Sequence, residues 1–315
     1  MSIEGNVSRK AAAGMLVAMC LCLPAAFAAE KSFDRTLSVN GPVTLHVSTG
    51  SGYIRVSPGS DNQVHIVGHV KSGGNNSWLG WGGGSSDEAV QRVADHPPID
   101  QAGNIIRVGD DHGGDFFHHV SIDYEITTPA NTMLVAESGS GDLQLSSING
   151  TVKAHTGSGS IKAEKLGSGS KLETGSGSID ANGLMGSTSL QTGSGEIHAQ
   201  LSSAGDVVAG TGSGDIKLSD VQGAVKAETG SGSLEISGQP TAPWKLETGS
   251  GNITLRLGNA HFTLDAETGS GSVKSDPPLT MTTHGSTDKH HVNGTVNGGG
   301  PTIKAETGSG DIHIQ

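Results

Sequence analysis

The chain is poor in cysteine, in aromatic residues and in positive charge, and each shortage excludes a class of protein. Its only cysteines, Cys20 and Cys22, lie near the start, so the remainder has no disulfide framework and no thiol chemistry. Aromatic residues make up 3% of the chain, whereas 50 of its 315 residues are glycine, and this composition predicts a thin core. The formal net charge of −12 argues against nucleic acid or an anionic membrane as the partner.

Long apolar runs are also rare, and the clearest one occupies residues 11–26 behind a short basic start. It ends in Ala26-Phe27-Ala28, which has the small-x-small pattern of a leader cleavage site. We therefore expect a signal peptide over residues 1–28 and an exported mature protein without a membrane span. The sequence leaves open whether this protein stays in the periplasm or reaches the cell surface.

What the sequence does contain is the tetrapeptide Thr-Gly-Ser-Gly, which returns at a nearly fixed spacing. The steps are 18 to 20 residues, except for a last step of 39, which we interpret as two coils with one eroded copy. The first glycines of the copies are Gly139, Gly157, Gly175, Gly193, Gly212, Gly230, Gly249, Gly269 and Gly308. This period predicts a solenoid, in which each repeat is one turn of chain that cannot bury a core alone.

Apolar and polar residues alternate on both sides of each glycine corner. Val225, Ala227 and Thr229 alternate with polar residues before one corner, and Leu234 and Ile236 do so after it. This alternation indicates two strands per coil, each with one buried face. We interpret the outward lysine and glutamate columns as a solvated ladder of compensating charges. The predicted fold class is all-β: a β-solenoid of parallel coils of about 18–20 residues, with two short strands in each.

The pattern is lost between residues 50 and 139, and another kind of structure is predicted there. Strands are expected at 63–70, 104–108 and 120–128. A helix is expected over 87–95, because a capping box precedes it and two prolines follow it. This section is predicted to close the first coil, since solenoid ends need a cap that hides unpaired strand edges.

The domain organisation follows from these segments. We expect the signal peptide over 1–28, an N-terminal β region and cap over 29–130, and the solenoid repeats over 131–315. The cap region includes a glycine- and tryptophan-rich insertion. It is expected to form one continuous domain with the repeats.

Several segments resemble a known bacterial family of unknown function that is labelled "putative adhesin". The resemblance is carried by Val120-Ser121-Ile122-Asp123-Tyr124-Glu125-Ile126 with Pro129, and by coils that read Gly-Ser-Gly-Asp-Leu/Ile. The closing runs 293–300 and 306–312 are similar to the closing segment of that family. The resemblance implies an exported β-solenoid with an adhesive role, and no catalytic residues carry over from it.

Two non-repetitive segments hold the candidate site residues. His112, Asp115 and His118 are ligand types that suit zinc, copper or nickel. A solvated turn that leads into a strand explains them better, so we expect no metal and no cofactor. Trp78 and Trp81 lie among glycines that leave them hard to bury, and they are the candidates for contact with a partner.

Three functions fit this sequence. A non-catalytic, adhesin-like scaffold of the envelope or surface fits best, with a carbohydrate or protein as its unidentified ligand and with self-association left open. The alternatives are a periplasmic structural or sensor component and a carbohydrate-active β-helix enzyme. The enzyme is disfavoured because the acids of the repeats follow the period, whereas a catalytic site should interrupt it. No catalytic residue is therefore predicted.

Overall fold

The computed structural model shows stacked coils, each with one strand before and one strand after its glycine corner. It describes residues 30–72, 86–109, 120–276, 281–283 and 288–315. In chain order the elements are β1 (Glu30–Ser38), β2 (Thr44–Thr49), β3 (Ile54–Pro58), β4 (Gln63–Ser72), α1 (Ser86–Asp95), β5 (Ile99–Ala102), β6 (Ile105–Val108), β7 (Val120–Thr128), β8 (Met133–Ser138), β9 (Leu143–Ile148), β10 (Val152–Thr156), β11 (Ile161–Leu166), β12 (Ser170–Thr174), β13 (Ile179–Leu184), β14 (Thr188–Thr192), β15 (Ile197–Leu201), β16 (Val207–Ser213), β17 (Ile216–Val221), β18 (Val225–Ser231), β19 (Leu234–Gly238), β20 (Trp244–Ser250), β21 (Ile253–Arg256), β22 (Phe262–Ser270), β23 (Val273–Ser275), β24 (Met281–Thr283), β25 (His291–Val296), β26 (Thr302–Ser309) and β27 (Ile312–Ile314).

These strands form two sheets. Strands that precede the corners lie in a 14-stranded sheet, and strands that follow them lie in a 13-stranded sheet. Neighbouring coils pair in parallel and in register, so Ala227 of β18 lies beside Leu246 of β20. The predicted β-solenoid is confirmed. The strands expected at 63–70, 104–108 and 120–128 are present as β4, β6 and β7, and the expected helix is α1.

The core is a narrow layer between the two sheets. The inward positions predicted in both strands of the coil are buried, among them Ala227, Leu234 and Ile236. Large residues in one coil lie beside small ones in the next, as Leu172 lies beside Ala154. Such alternation lets side chains interdigitate and fill a thin core without voids.

A buried threonine hydroxyl links each corner to the neighbouring coil. Thr174 Oγ1 donates to the carbonyl of Gly159 at 2.7 Å, and Thr229 Oγ1 donates to that of Gly214 at 3.0 Å. Both threonines are nearly inaccessible, at 5% and 6% exposure. The bond satisfies a hydroxyl that would otherwise be buried without a partner, which explains why the repeat has a threonine on its inward face.

From Gly139 onward, the two glycines of each corner are required by close approach to the neighbouring coil. A Cβ atom built on Gly230 would lie 2.6 Å from the carbonyl oxygen of Gly212, closer than any side chain tolerates. One built on Gly232 would meet the carbonyl of Gly214 closer still. The stacked corners therefore form columns of backbone in contact with backbone, in which no side chain fits.

The corner changes its hydrogen bonding halfway along the stack. In the earlier coils the second glycine donates to its own threonine, as Gly177 N donates to Thr174 Oγ1 at 3.1 Å. In the later coils that N–H donates to the next coil, as Gly232 N donates to the carbonyl of Ser250 at 3.0 Å. The change falls after Gly193, where the repeat lengthens to 19 residues. The first strand of each later coil consequently runs on through Thr-Gly-Ser.

The stacking order departs from the chain order at both ends. The coil β2–β3 lies between the β8–β9 coil and the strands β6 and β7, and the final coil β26–β27 lies between β20–β21 and β22–β23. The interpretation of the 39-residue step as two coils with one eroded copy is therefore wrong. Residues of that step form β24 and β25, which pair with each other antiparallel. β25 also pairs antiparallel with β22 and covers that end of the 14-stranded sheet.

The N-terminal end is closed by antiparallel strands and the helix. β1 pairs with β4, and β4 pairs with β7, all antiparallel. The helix α1 lies against this region with Val90 and Val93 buried. The cap predicted from the loss of the repeat is thus present, because antiparallel strands and a helix end a parallel stack that would otherwise continue.

We expect the corner glycines to be far less replaceable than a glycine of the outer face. Gly230→Ala should lower the free energy of unfolding by about 2–4 kcal/mol, because its Cβ would force the stacked backbones apart. Gly210→Ala is the matched control, since a Cβ there meets nothing within 4 Å. It should be neutral or stabilising by up to about 1 kcal/mol. Urea unfolding of both variants makes the comparison, and equal losses would contradict the assigned corner geometry.

The two corner types predict different losses for the same threonine substitution. Thr174→Val removes the partner of both the Gly159 carbonyl and the Gly177 N–H, so we expect a loss of about 2 kcal/mol. Thr229→Val removes the partner of the Gly214 carbonyl only, and about 1 kcal/mol should be lost. Chemical unfolding of each variant measures the difference. A larger loss for Thr229→Val would show that the two corners are assigned the wrong way round.

Candidate functional site

An open groove of about 750 Å³ follows the outer face of the 14-stranded sheet and is the candidate functional site. Its floor is a column of first glycines from the corners of the later coils, and its wall is a column of glutamates two residues before them. The floor glycines are Gly230, Gly249, Gly308 and Gly269, and the wall residues are Glu228, Glu247, Glu306 and Glu267.

The groove exists because strands run through the corner in these coils. In β18 the residues Lys226, Glu228 and Gly230 alternate with buried residues, and all three therefore lie on the outer face. The corner column accepts only glycine. A row of long glutamate side chains on the outer face therefore lies beside a row of glycines without side chains, and the difference in height forms the groove. The wall crosses four neighbouring strands, β18, β20, β26 and β22, which gives it a length of about 14 Å.

Lysines hold the wall glutamates from the side away from the floor. The ammonium of Lys245 lies 2.7 Å from the Glu247 carboxylate, and that of Lys304 lies 2.6 Å from Glu306. The hydrogen bonds to these carboxylates raise the pKa of both lysines. Each pair confirms the compensation predicted from the Lys-x-Glu pattern. The pairing also fixes the carboxylates in position beside the groove, where their remaining lone pairs can accept hydrogen bonds.

The two ends of the groove differ. At one end the glutamate column is interrupted by Gly210, and the neighbouring Val208 is 40% exposed. At the other end Glu267 is exposed, and the residue two positions before it is Asp265 rather than a lysine. Asp265 lies 3.3 Å from His291 Nε2. The groove therefore runs from an uncharged end to an end with excess negative charge.

The outward face of the other sheet has a different arrangement. Its outward column mixes charges of both signs along the stack, so Lys217 lies 3.0 Å from Glu235 in the neighbouring coil. The hydrogen bond from Lys217 holds the pKa of Glu235 below its ordinary value, and Arg256 contributes to this. Because the charges pair across coils, this face presents no continuous row of one sign.

A second polar cluster lies near the N-terminal end, where the repeat is interrupted. Tyr53 Oη donates to Glu125 at 2.9 Å, and Arg55 pairs with the same carboxylate at 2.9 Å. Buried Asp123 accepts from the Tyr53 N–H and pairs with Lys71 at 2.8 Å. Burial, followed by the Glu125 bond, raises the pKa of Tyr53. Both carboxylates are thus engaged in joining β7 to its neighbours.

The acidic residues that follow the corners also have structural partners. Asp142 accepts from the backbone N–H of Ser160 at 2.8 Å, and Asp215 accepts from that of Ser233 at 2.7 Å. Asp311 accepts from both the hydroxyl and the N–H of Ser272, and these bonds lower its pKa. These side chains lie one coil from the amide they bind, so they fasten neighbouring coils to each other.

The site residues predicted from the sequence fall outside the described residues. This holds for the contact candidates Trp78 and Trp81 and for the metal candidates His112, Asp115 and His118. Across the ranges that the structure describes, no group of three histidine, cysteine or carboxylate side chains is placed to hold a metal ion.

Sequence reasoning found the glutamate column but missed the groove beside it. The interpretation of the column as a ladder of compensating charges agrees with its lysine–glutamate pairs. The first step of 19 residues, from Gly193 to Gly212, coincides with the first corner of the second type, but the next step is again 18, so the spacing alone does not identify these coils. Within the described ranges, no helix has the length and apolar character needed to cross a membrane.

Comparison with solved structures finds matches of low sequence identity. A protein described as a putative adhesin from Bacteroides fragilis NCTC 9343 is 13% identical, with 90% of this chain and 97% of that chain covered, at a TM-score of 0.40. One from Parabacteroides merdae ATCC 43184, described in the same words, is 12% identical, with 90% and 96% covered, at a TM-score of 0.29. A putative cell adhesion protein from Clostridium sporogenes ATCC 15579 is 12% identical, with 91% and 99% covered, at a TM-score of 0.22.

Comparison of the sequence with families and curated proteins gives one match. No curated protein matches the chain. Residues 168–315 match the family described as Toastrack DUF4097. This range contains every residue that lines the groove. The coils of residues 168–315 are therefore similar to the Toastrack family, a domain family of unknown function.

Proposed function

We propose that the protein is a non-catalytic, exported, adhesin-like scaffold of the cell envelope or surface that binds an extended ligand along its groove. The observation that carries this proposal is the open groove of about 750 Å³ between the glycine floor and the glutamate wall. Close stacking of the coils accounts for the glycines of the floor. Ion pairs with lysines engage the glutamates on the side away from the floor. A ligand would bind the row of carboxylates along the open groove.

The chemistry of the groove favours a polymer with regularly spaced hydrogen-bond donors. Successive carboxylates lie on neighbouring strands, about 4.8 Å apart along the groove. Each can accept from a hydroxyl, an amide N–H or an amine. The bare backbone of the floor admits a flat chain without obstruction from side chains. A polysaccharide or an extended peptide fits these requirements, and amines are favoured at the acidic end near Glu267.

The contacts of the N-terminal polar cluster support a role without catalysis. Asp123 and Glu125 are two carboxylates of the non-repetitive N-terminal region, and an enzyme of this fold would place its acids where the repeat is interrupted. Each already accepts hydrogen bonds from Tyr53 and pairs with a basic side chain. Carboxylates held in this way serve to fasten strands together.

The leader and the domain division belong to the same proposal. Residues 1–28 are proposed as the leader that directs export, and residues 29–130 as a cap continuous with the repeats of 131–315. Trp78 and Trp81 are proposed as a second contact with the ligand, beyond the groove. Cell fractionation with an antibody against the repeats distinguishes a periplasmic from a surface location, and recovery in the cytoplasm would contradict the proposal.

The groove predicts which glutamates matter for binding. The double variant Glu247→Gln with Glu306→Gln should weaken binding of an extended polymer at least tenfold, because two neighbouring carboxylates lose their charge. The probes are soluble chitosan oligomers, neutral cello-oligosaccharides and an oligolysine peptide, each measured by isothermal titration calorimetry. Binding of none of them at millimolar concentration would contradict the proposed groove function.

The matched control lies in the same column outside the groove. Glu173 is paired with Lys171 at 2.7 Å, the same distance as Glu247 from Lys245, but it belongs to an earlier coil. Glu173→Gln should leave binding unchanged within twofold. Equal weakening by the control and by the double variant would show that net charge, and not the groove, attracts the ligand.

A further inference from the structure

The last coil of the chain fills a slot that earlier segments leave open. β26 lies between β20 and β22, and β27 lies between β21 and β23, although both neighbouring coils precede it in the sequence. The chain therefore skips one layer after β21, forms the end coil and the β24–β25 hairpin, and then returns to fill the gap. Until it returns, two facing strand edges have unpaired backbone groups.

Contacts of the repeat hold the returning coil on both sides. Towards β20–β21, Thr307 Oγ1 donates to the Gly251 carbonyl at 2.9 Å, and the Asp311 N–H donates to Asn252 at 2.9 Å. Towards β22–β23, Thr268 Oγ1 donates to the Gly310 carbonyl at 2.8 Å. Interior coils are joined by the same kind of bond, as from Thr229 to the Gly214 carbonyl. The slot therefore recognises a coil of the repeat, whichever chain supplies it.

A short linker connects the returning coil to the hairpin. Residues 297–301 cross the start of β22, because β25 pairs with one edge of that strand and β26 with the other. Gly298 and Gly299 have positive φ angles of 88° and 84°, and the Gly299 N–H donates to the Val296 carbonyl at 3.0 Å. When extended, five residues span about 17 Å, enough for the coil to leave its own slot and enter another.

We propose that this coil, residues 302–315, is exchanged between two copies of the chain to form a dimer. In the dimer the coil of each copy occupies the slot of its partner, and every contact within the slot is retained. The balance between monomer and dimer is then set by the linker and by the protein concentration, as in other exchanges of identical elements. The sequence order adds to this, because the slot is complete before the coil that fills it has been made.

The exchange has a consequence for the groove. Glu306 and Gly308 lie on the exchanged coil and form part of the wall and floor. In the dimer, the exchanged coil of each copy completes the groove of the other copy, so the dimer has two grooves. Two linked sites bind a polymer more tightly than one site does, because the second contact is intramolecular. The exchange itself does not depend on the proposed ligand.

Disulfide trapping tests the exchange directly. Glu247 and Glu306 are registered neighbours across β20 and β26, at a separation that a disulfide can span. The two single variants Glu247→Cys and Glu306→Cys, each with Cys20→Ser and Cys22→Ser, are mixed in urea and refolded together at high concentration. We expect a covalent dimer on a non-reducing gel that reductant converts to monomer.

The matched control uses neighbours that the exchange leaves within one chain. Glu228 and Glu247 are registered in the same way across β18 and β20, and neither lies on the exchanged coil. A mixture of Glu228→Cys and Glu247→Cys, with the same serine replacements, should give at least tenfold less covalent dimer. A dimer absent from the first mixture, or equally abundant in both, overturns the proposal.

Shortening the linker provides a second test that needs no new thiol. Deletion of residues 297–300 leaves one residue between Val296 and Thr302, which spans about 7 Å. Crossing β22 takes two strand spacings, about 9.6 Å, so the coil cannot cross in its own chain, whereas the strands that form the slot are unchanged. The fraction of dimer, measured by size-exclusion chromatography with light scattering, should rise at least fivefold. A shortened chain that folds as a monomer with an unchanged unfolding midpoint would overturn the exchange.

Discussion

The whole structure depends on the hydrogen bond from a buried threonine hydroxyl to a glycine carbonyl of the adjacent coil. Thr156, Thr229 and Thr307 all make this bond, and it follows the spatial order of the coils even where that order differs from the chain. It needs two conditions at once. The hydroxyl must be on the inward face, and the neighbouring backbone must come so close that no Cβ fits between the corners. This geometry, repeated in successive coils, stabilises the fold in place of disulfides and a broad apolar core, which this chain does not have.

The outer face is shaped by the same requirement. Because the corner admits only glycine, each coil with the second type of corner places bare backbone beside the long side chains of a glutamate column. Ion pairs with lysines then fix the positions of these carboxylates, as Lys245 does for Glu247 and Lys304 for Glu306. The stacking of the coils thus also produces a groove lined by a row of carboxylate acceptors, which we propose as the ligand-binding site.

The ends of the stack show how a repeat is stopped. A parallel coil always leaves one edge that would accept another coil. Antiparallel strands close that edge in both sheets at the N-terminal end and in the 14-stranded sheet at the other end. At each end a coil lies between segments that are not its neighbours in sequence. The coil of residues 302–315 is held by the same kind of threonine bond as the interior coils. Stability and the proposed exchange between copies therefore depend on one set of contacts.

The sequence by itself determined the coil. The buried columns that contain Leu234 and Ile236, the inward position of Thr229 and the lysine–glutamate pairs follow from local alternation and from the glycine spacing, which hold in every copy. The stacking order could not be read, because the coil of residues 302–314 has the same pattern as its neighbours and pairs equally well with any of them; the lengths of the connections and the antiparallel hairpin decided its place. The groove could not be read either, because Gly159 and Gly232 stand in the same motif. Only the tertiary structure decides whether such an N–H binds its own threonine or the next coil, and that choice determines whether the strand runs on through the corner and opens the groove.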